Sequence, residues 1–188
     1  MNIRQQNVWL QALLRTSTYI DRQISITGHH SSRVALLATQ LACHLGCSGK
    51  EVQQLHWAAM FHDIGKVIVP RKILAKVQPL TPCEWQIIRL HPIVGAGIVC
   101  TAKGMPEIAP LVLAHQEKYD GSGYPRRLQG ERIPGGARIL AVADSYDAIT
   151  SNRVYRQARS RPEAIEEIGR LSGSHFDPIV VRSFLQLS

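Results

Sequence analysis

The pentapeptide His62-Asp63-Ile64-Gly65-Lys66 places an imidazole beside a carboxylate, with an ammonium group three residues further along the chain. Neighbouring side chains on a helix diverge by about 100°, so His62 and Asp63 could hold one cation from two directions. The two oxygens of Asp63 could also each bind a separate metal ion. Lys66 follows Gly65, where a helix is expected to end, and could reach an anion bound at that metal. The pentapeptide therefore predicts a metal site that binds an anion.

The composition is that of one soluble globular domain. The chain has 188 residues, of which 45% are apolar and 19% are charged, and a chain of this length can bury roughly 70% of its unfolded surface. It contains no uncharged apolar run of the ~18 residues needed to cross a bilayer, and its first residues lack the pattern of a secretory signal. We therefore expect a cytoplasmic protein that does not enter a membrane.

Cysteine usage fits a reduced compartment. Cys43 and Cys47 lie one helical turn apart and could form half of a metal site, but no second cysteine pair completes one. Buried thiols within a helix are the favoured interpretation. Cys83 and Cys100 complete the set of four cysteines.

Positive charge is concentrated in one part of the chain. The formal net charge is +8, and eight arginines lie between Arg126 and Arg161 against only Glu131, Asp144 and Asp147. Arginine is suited to forked contacts with phosphate groups. A solvated basic surface is the alternative, but aromatic residues make up only 6% and no nucleic-acid motif is present. A compact phosphorylated ligand is therefore expected rather than a nucleic acid polymer.

Almost every segment has the pattern of a helix. Apolar residues recur at helical spacing in 8–20 and 33–45, and further helices are expected over 106–117 and 137–151. Capping boxes begin at Ser48, which should open a helix running to Gly65, and at Thr81 and Ser160, while Asp177 precedes a proline in a similar way. Two stretches look irregular, 67–80 and the Gly- and Pro-rich 120–136, and the second must be a long ordered loop. The sequence predicts an all-α, single-domain helical bundle.

Further candidate ligands lie at predicted helix ends and beside loops. His30 is near a helix start, His91 precedes a proline, and His115 leads into the Gly- and Pro-rich loop. Asp144 and Asp147 lie three residues apart on one face of an otherwise apolar helix. A carboxylate on such a face needs a cation or a hydrogen-bond donor. Each residue alone would fit a structural role, but the set indicates a metal centre.

The order and spacing of these residues resemble the HD superfamily of metal-dependent phosphohydrolases. They resemble more narrowly the HD-GYP family, which hydrolyses the second messenger cyclic di-GMP, and the match runs from about Gly28 to Phe184. The motifs that carry the resemblance are His30-Ser31-Ser32-Arg33-Val34, His62 to Lys66, His91-Pro92 with Gly95, His115-Gln116-Glu117, Asp120-Gly121-Ser122-Gly123-Tyr124-Pro125, Ile133-Pro134, the run from Arg138 to Asp144, Asp147-Ala148, and Thr150-Ser151 with Arg153 and Tyr155-Arg156. So long a string of motifs is specific.

The resemblance implies a role for each matching residue. One divalent metal would be held by His30, His62, Asp63 and Asp144, and a second would share Asp63 and add His91 and His115. Iron and manganese suit such a ligand set best. Catalytic roles would fall to Asp63, to Lys66 and to Asp147, which would lie beside the attacking water. Substrate binding would involve Lys66, Tyr124, Arg153 and Arg156. For Tyr124, simple packing is as open as a functional role, which would be to contact a guanine or to order the loop.

Two positions depart from the family pattern. Gln116 stands where the family has a second histidine that binds the second metal, and an amide oxygen is a weaker ligand than an imidazole. Ile26 stands where members with three metals carry a glutamate, so a third metal is not expected. The second metal should therefore bind less tightly than the first.

The expected function is hydrolysis of cyclic di-GMP to linear pGpG by a hydroxide that two cations activate, with further cleavage to GMP left open. The alternative is a weakly active or inactive module that binds a cyclic dinucleotide or a GGDEF-type diguanylate cyclase. A hydrolase acting on another nucleotide is less favoured, because the Gly-Tyr-Pro loop is complete. Residues 1–25 should form a helix used for homodimerisation or as a linker, and residues 26–188 the HD-GYP domain.

Overall fold

The chain folds almost entirely into helices. The computed structural model describes residues 3–24, 28–101, 105–152 and 157–188, and contains no β-strand within these ranges. The α-helices of the described part are α1 (Ile3–Ile24), α2 (His30–His44), α3 (Gly49–Phe61), α4 (Arg71–Leu74), α5 (Pro82–Ile88), α6 (His91–Thr101), α7 (Ala109–Ala114), α8 (Gly135–Thr150), α9 (Arg161–Arg170) and α10 (Pro178–Leu187). The predicted all-α fold is confirmed.

Local sequence signals set most helix starts. Ser48, Thr81 and Ser160 each accept a hydrogen bond from the backbone of the glutamate three residues later, and that glutamate bonds back to the cap. Asp177 caps α10 by accepting from the backbone N–H of Ile179 at 2.8 Å. These predicted helix starts are confirmed.

The helix that carries His62 ends earlier than the sequence predicted. α3 stops at Phe61, and residues Ile64–Ile68 form a tighter 3₁₀ turn. The backbone N–H of Lys66 bonds to the carbonyl of Asp63 at 2.9 Å, which is the i to i+3 spacing of such a turn. The His-Asp pair therefore lies at a helix end, where the chain turns.

The centre of the bundle is formed by α2, α3 and α8. Alanines on their facing sides let the helix backbones approach closely, and larger side chains fill the remaining space. Residues with no exposed surface in this core include Val34, Ala38, Leu41, Ala58, Ala59, Phe61, Leu140, Val142 and Ala143. This core fixes the relative positions of α2, which carries His30, of α3, which ends just before His62, and of α8, which carries Asp144.

The first helix packs onto this core. Leu13 and Ile20 are buried, and the buried carboxylate of Asp21 accepts from the backbone N–H and the hydroxyl of Ser31 at 3.0 and 2.8 Å. Trp9, in contrast, is 53% exposed. Residues 25–27 lie outside the described part, so the predicted boundary at residue 25 stays a prediction, although α1 belongs to the same packed unit as α2.

The prediction of buried thiols in a helix is wrong for Cys43 and Cys47. Cys43 is exposed on α2, and Cys47 is half-buried and follows the end of that helix. The buried face of α2 runs through Ala35, Ala38 and Ala42, so Cys43 points away from the core. None of the described helices combines the length and the apolar character that crossing a bilayer requires.

Candidate metal centre and substrate cleft

Six predicted ligands converge into two clusters. His30, His62 and Asp144 form the first cluster, and Asp63, His91 and His115 form the second. Within each cluster, one ligand atom from each residue lies within 4.8 Å of the others. Each cluster could hold a divalent metal ion, as the sequence predicted for these residues.

Asp63 connects the two clusters. Its Oδ2 atom lies 3.5 Å from Nε2 of His62 and 3.9 Å from Nε2 of His30. Its Oδ1 atom lies 3.4 Å from Nε2 of His91 and 4.0 Å from Nε2 of His115. One carboxylate oxygen therefore faces each cluster, which is the arrangement that a bridging ligand needs.

Helix ends orient three of the four histidines. The Nδ1 atoms of His62, His91 and His115 each lie 2.7 Å from the carbonyl oxygen of the residue three positions earlier, namely Ala59, Ile88 and Val112. A carbonyl only accepts, so Nδ1 must carry the proton and Nε2 keeps its lone pair. Hydrogen bonds of this kind commonly fix the orientation of metal-binding histidines.

Several buried atoms of the clusters lack a hydrogen-bond partner. Nε2 of His30, Nε2 of His62 and Oδ1 of Asp63 are in this state. The Nε2 atoms of His91 and His115 lie only 3.1 Å apart. Their lone pairs repel at this distance unless a cation or proton lies between them, and unpartnered buried polar atoms are costly. The donor set therefore fits metal ions.

Burial and charge separate the pKa values of the histidines. Burial lowers the pKa of His115 to about 3 and that of His91 to about 4, with further lowering by His91 and Lys66, respectively. For His30, burial also acts to lower the pKa, but the adjacent carboxylates of Asp144 and Asp147 outweigh it and raise the pKa to about 9. The second cluster thus holds neutral imidazoles, the form that binds metal.

Asp147 lies behind His30. Its Oδ2 atom accepts from Nδ1 of His30 at 2.7 Å, and its Oδ1 atom accepts from Nε of Arg33 at 2.5 Å. Arg33 also donates to Ser151 at 3.0 Å. The sequence predicted Asp147 beside the attacking water, whereas one of its oxygens is bonded to His30 and the other to Arg33. Its contacts are those of a residue that positions a ligand.

Lys66 lies at the shared carboxylate. Its Nζ atom is 2.6 Å from Oδ2 of Asp63, and its side chain is largely buried. Burial acts to raise the pKa of Asp63, but Lys66 and the surrounding histidines hold that pKa well below its usual range. The Lys66 ammonium group therefore lies against Asp63, the residue that connects the two clusters.

Gln116 is hydrogen-bonded to Tyr124. The hydroxyl of Tyr124 donates to the side-chain oxygen of Gln116 at 3.2 Å, and the two residues also pair through their backbones at 3.1 Å. The Tyr124 ring lies edge-on to His91, with 6.3 Å between centroids. Tyr124 therefore helps to order the loop, one of the roles left open for it, and the oxygen of Gln116 is held by this bond.

The loop that carries Tyr124 is fixed by a buried carboxylate. Glu117 accepts from the backbone N–H groups of Arg126 and Leu128 at 2.7 and 3.1 Å. A Cβ atom on Gly123 would lie 2.3 Å from the backbone nitrogen of Lys118, so only glycine fits there. Gly121 adopts a φ of 83°, which also favours glycine. The Gly- and Pro-rich segment is thus a rigid wall beside the second cluster.

A cleft of about 520 Å³ opens beside both clusters. Its lining includes Lys66, His91, Gln116, Tyr124 and Asp144, together with apolar side chains of residues 73–88. Arg153 and Arg156, the predicted phosphate-binding residues, lie outside the described part of the chain, as does Ile26. The floor of the cleft is the part lined by Lys66, His91 and Asp144, and its apolar wall is the part lined by residues 73–88.

The sequence did not predict the roles of residues that contact the candidate ligands or the loop without belonging to either cluster. Arg33 and Glu117 stand inside the quoted motifs, but nothing in a single sequence shows which side chain each of them contacts. Trp85 and Arg89, which lie beside the cleft and the Tyr124 ring, carried no signal beyond helical spacing. Their roles depend on tertiary contacts.

Comparison with known proteins places these observations in a family. The family model described as HD domain matches residues 16–180. The chain is 39% identical over 180 residues to a protein of Thermotoga maritima named cyclic di-GMP phosphodiesterase, covering 95% of this chain and 48% of that protein. It is 39% identical over 162 residues to a 3'3'-cGAMP-specific phosphodiesterase of Vibrio cholerae, covering 85% of this chain and 31% of that protein. The chain thus spans about half or less of the length of these relatives.

Solved structures agree on the fold. A cyclic GMP-AMP specific phosphodiesterase of Vibrio cholerae superposes with a TM-score of 0.70 at 19% identity, covering 95% of this chain and 48% of that one. An HD-GYP-type protein of Bdellovibrio bacteriovorus, Bd1817, gives a TM-score of 0.72 at 21% identity, covering 99% of this chain and 64% of that one. Together with the motifs and the two ligand clusters, these matches establish that the chain belongs to the HD domain family, and within it to the HD-GYP group.

Proposed function

We propose that this chain hydrolyses cyclic di-GMP to linear pGpG as a metal-dependent phosphodiesterase, with cleavage to GMP as a second step still to be tested. The observation that carries the proposal is the position of Asp63, which presents one oxygen to each of two ligand clusters. Two adjacent cation sites beside an open cleft are the arrangement that metal-assisted phosphodiester hydrolysis requires. The names of the relatives support the choice of a cyclic dinucleotide.

The ligands would divide between two ions. His30, His62 and Asp144 would hold the first ion, His91 and His115 the second, and Asp63 would bridge them. Iron and manganese suit this mixture of imidazoles and carboxylates. Such ions, when bound, supply an activated water and neutralise charge on the phosphodiester.

The remaining polar residues would bind and orient the substrate. The Lys66 ammonium, placed beside Asp63, would attract a phosphate oxygen. Arg153 and Arg156 would bind the rest of the phosphate charge. Asp147 would hold the His30 ring in the orientation that leaves Nε2 free, and is better described as a positioning residue than as a catalytic one.

The proposal is tested by loading the purified chain with iron or manganese and measuring both metal content and release of linear dinucleotide. We expect two ions per chain and cleavage of cyclic di-GMP. Asp63→Asn should lose metal binding and cleavage, whereas Glu166→Gln, which removes an exposed carboxylate, should retain metal binding and cleavage. Fully metal-loaded protein that cleaves no cyclic dinucleotide would contradict the proposal.

A second candidate function is a module that binds a cyclic dinucleotide without cleaving it. One observation favours it: the side-chain oxygen of Gln116, which stands where the resemblance implies a metal-binding histidine, accepts from Tyr124. Within the described residues the second cluster then offers only Asp63, His91 and His115. Weak occupancy of that cluster would leave the cleft able to bind but slow to hydrolyse.

Gln116→His separates the two candidates. If the parent chain is inactive and the variant gains turnover together with a second metal ion, the module is the correct assignment. If the parent already holds two ions and cleaves substrate, the enzyme is correct and the variant should change turnover little. Gln116→Asn, which keeps an amide but shortens it, serves as the matched control.

Partner interactions follow from the same assignment. A GGDEF-type diguanylate cyclase is the expected protein partner, a homodimer through α1 is the expected assembly, and the cytoplasm is the expected compartment. The exposed apolar residues Val8, Trp9 and Tyr19 on α1 support the dimer. Light scattering of Trp9→Glu against the parent chain tests it, because a charge on that face should shift a dimer to monomer.

A further inference from the structure

The rim of the cleft carries a tryptophan that the core does not use. Helix α5 contains no buried residue, and Trp85 within it is 44% exposed. The same side chain lines the cleft that contains His91 and Asp144. A large ring left exposed beside a polar site marks a surface suited to binding.

Arg89 links this ring to the Gly- and Pro-rich loop. Its guanidinium carbon lies 5.9 Å from the centroid of the Trp85 ring and 5.6 Å from that of Tyr124. Both distances are those of cation–π contacts. Arg89 therefore connects the two walls of the cleft and limits the orientations that Trp85 can adopt.

The backbone beside Trp85 is also pinned. Glu84 accepts from Nζ of Lys76 at 2.6 Å and from the backbone N–H of Thr81 at 2.7 Å. These bonds tie the irregular segment before α5 to the start of the helix. The ring thus projects from an anchored turn, which reduces the conformational entropy lost when a planar group binds against it.

The rest of the cleft matches the two halves of a nucleotide. The ligand clusters and Lys66 form a floor suited to a phosphodiester, and Leu74, Val77 and Leu80 form an apolar wall beside Trp85. A purine base has apolar faces and stacks on aromatic rings whatever its edge pattern. The base attached to a phosphodiester on that floor would need such a ring within reach.

We propose that Trp85 is the stacking platform for one purine base of the substrate, and that Arg89 positions its ring. Substrate identity here rests on the proposed function. Stacking contributes to binding in the ground state and the transition state alike, so its loss should raise KM and leave kcat nearly unchanged. The platform makes Trp85 a determinant of affinity for bases rather than of the chemical step.

The test compares manganese-loaded Trp85→Ala, Trp85→Phe and the parent chain. For cyclic di-GMP we expect Trp85→Ala to raise KM roughly 10-fold, in line with the typical strength of base stacking, with kcat within about threefold. Trp85→Phe should recover most of the loss, and Arg89→Lys should lie closer to the parent than Arg89→Met. Inhibition by inorganic phosphate, which has no base, should be the same in parent and Trp85→Ala. Leu185→Ala, which removes an exposed apolar side chain from α10 away from the cleft, is the matched control.

Two outcomes would overturn the platform. One is an unchanged KM in Trp85→Ala; the other is an equal loss of kcat and of phosphate inhibition, which indicates disruption of the floor. Quenching of tryptophan fluorescence within seconds of mixing with cyclic di-GMP gives a readout that does not need turnover. Quenching that Trp85→Phe abolishes, in a chain that hydrolyses nothing, would support the platform while contradicting the proposed function; no quenching in such a chain would contradict both.

Discussion

At the scale of single residues, His30 differs from the other three histidines of the clusters. The others bond through Nδ1 to backbone carbonyls, whereas His30 bonds to the side chain of Asp147. That carboxylate is in turn held by Arg33. A negative charge behind an imidazole strengthens it as a ligand, so the first cluster should depend on Asp147 for its affinity.

Asp147→Asn tests this dependence. The substitution keeps the shape of the side chain but removes its charge, and we expect manganese to bind the first cluster 10- to 100-fold more weakly. Titration of metal-free protein, followed calorimetrically, measures the change. Glu166→Gln removes one exposed negative charge elsewhere and should leave affinity unchanged. Equal affinity in Asp147→Asn and the parent would show that His30 does not need this carboxylate.

At the scale of elements, the turn after His62 packs directly against α6. A Cβ atom on Gly65 would lie 2.0 Å from the carbonyl oxygen of His91 and 2.5 Å from the backbone nitrogen of Gly95. Such contacts require backbone to move. The pentapeptide therefore fixes the distance between the segment that carries Asp63 and the helix that begins with His91.

We expect Gly65→Ala to destabilise the fold by about 2–3 kcal/mol, because overpacking against backbone cannot be relieved by a side-chain rotation. Urea unfolding measures the loss, and metal binding should weaken with it. Gly97→Ala is the matched control, since it lies in α6 with no atom within 4 Å of its added Cβ. Its expected effect is a gain of up to about 1 kcal/mol from better helix propensity. A Gly65→Ala variant as stable as the parent would disprove the close approach.

The Gly- and Pro-rich loop depends on one buried group. Glu117→Gln replaces an acceptor of two backbone N–H groups with an amide that has only one acceptor oxygen, and should cost about 1–3 kcal/mol locally. We expect faster hydrogen exchange and proteolysis across 120–136. Glu131→Gln, an exposed change in the same loop, should leave both rates unaltered. Unchanged exchange in Glu117→Gln would mean that other contacts hold the loop.

At the scale of the whole molecule, the two clusters couple metal binding to folding. They gather residues from α2, α6 and α8 and from the ends of α3 and α7, and leave buried atoms without partners. Ions that bind only the folded chain stabilise it by about 2.7 kcal/mol at a concentration 100 times the Kd. For a chain of this size we expect removal of metal to lower the Tm by roughly 5–10 °C.

Thermal unfolding with manganese and after chelation measures that shift. The Asp63→Asn variant serves as the control, because it lacks the shared ligand and should melt at nearly the same temperature in both conditions. If the Tm of the parent chain is the same with manganese and after chelation, the result would argue against metal ions in the clusters.

The sequence predicted the fold class, most helix starts and the six residues that the structure brings together in the two clusters, because capping boxes and spaced histidines leave local signals. It predicted helix ends and side-chain roles less well where these depend on tertiary contacts. α3 ends at Phe61 rather than at Gly65 because the chain tightens into a 3₁₀ turn there. Asp147 carried the same pattern as Asp144, and only the structure separates the residue that faces the cluster from the one that holds His30.

The backbone anchors of His62, His91 and His115 have a consequence for sequence divergence. Each anchor is one of the last four carbonyls of a helix, groups that lack a partner within the helix. Every amino acid supplies the same carbonyl, so the hydrogen bonds that orient these three rings do not depend on which side chain stands at positions 59, 88 and 112. His30 has no such tolerance, since its anchor is encoded as the side chain of Asp147. Divergence among related chains should therefore perturb the first cluster through position 147, while the two rings of the second cluster keep their orientations as long as α5 and α7 end where they do.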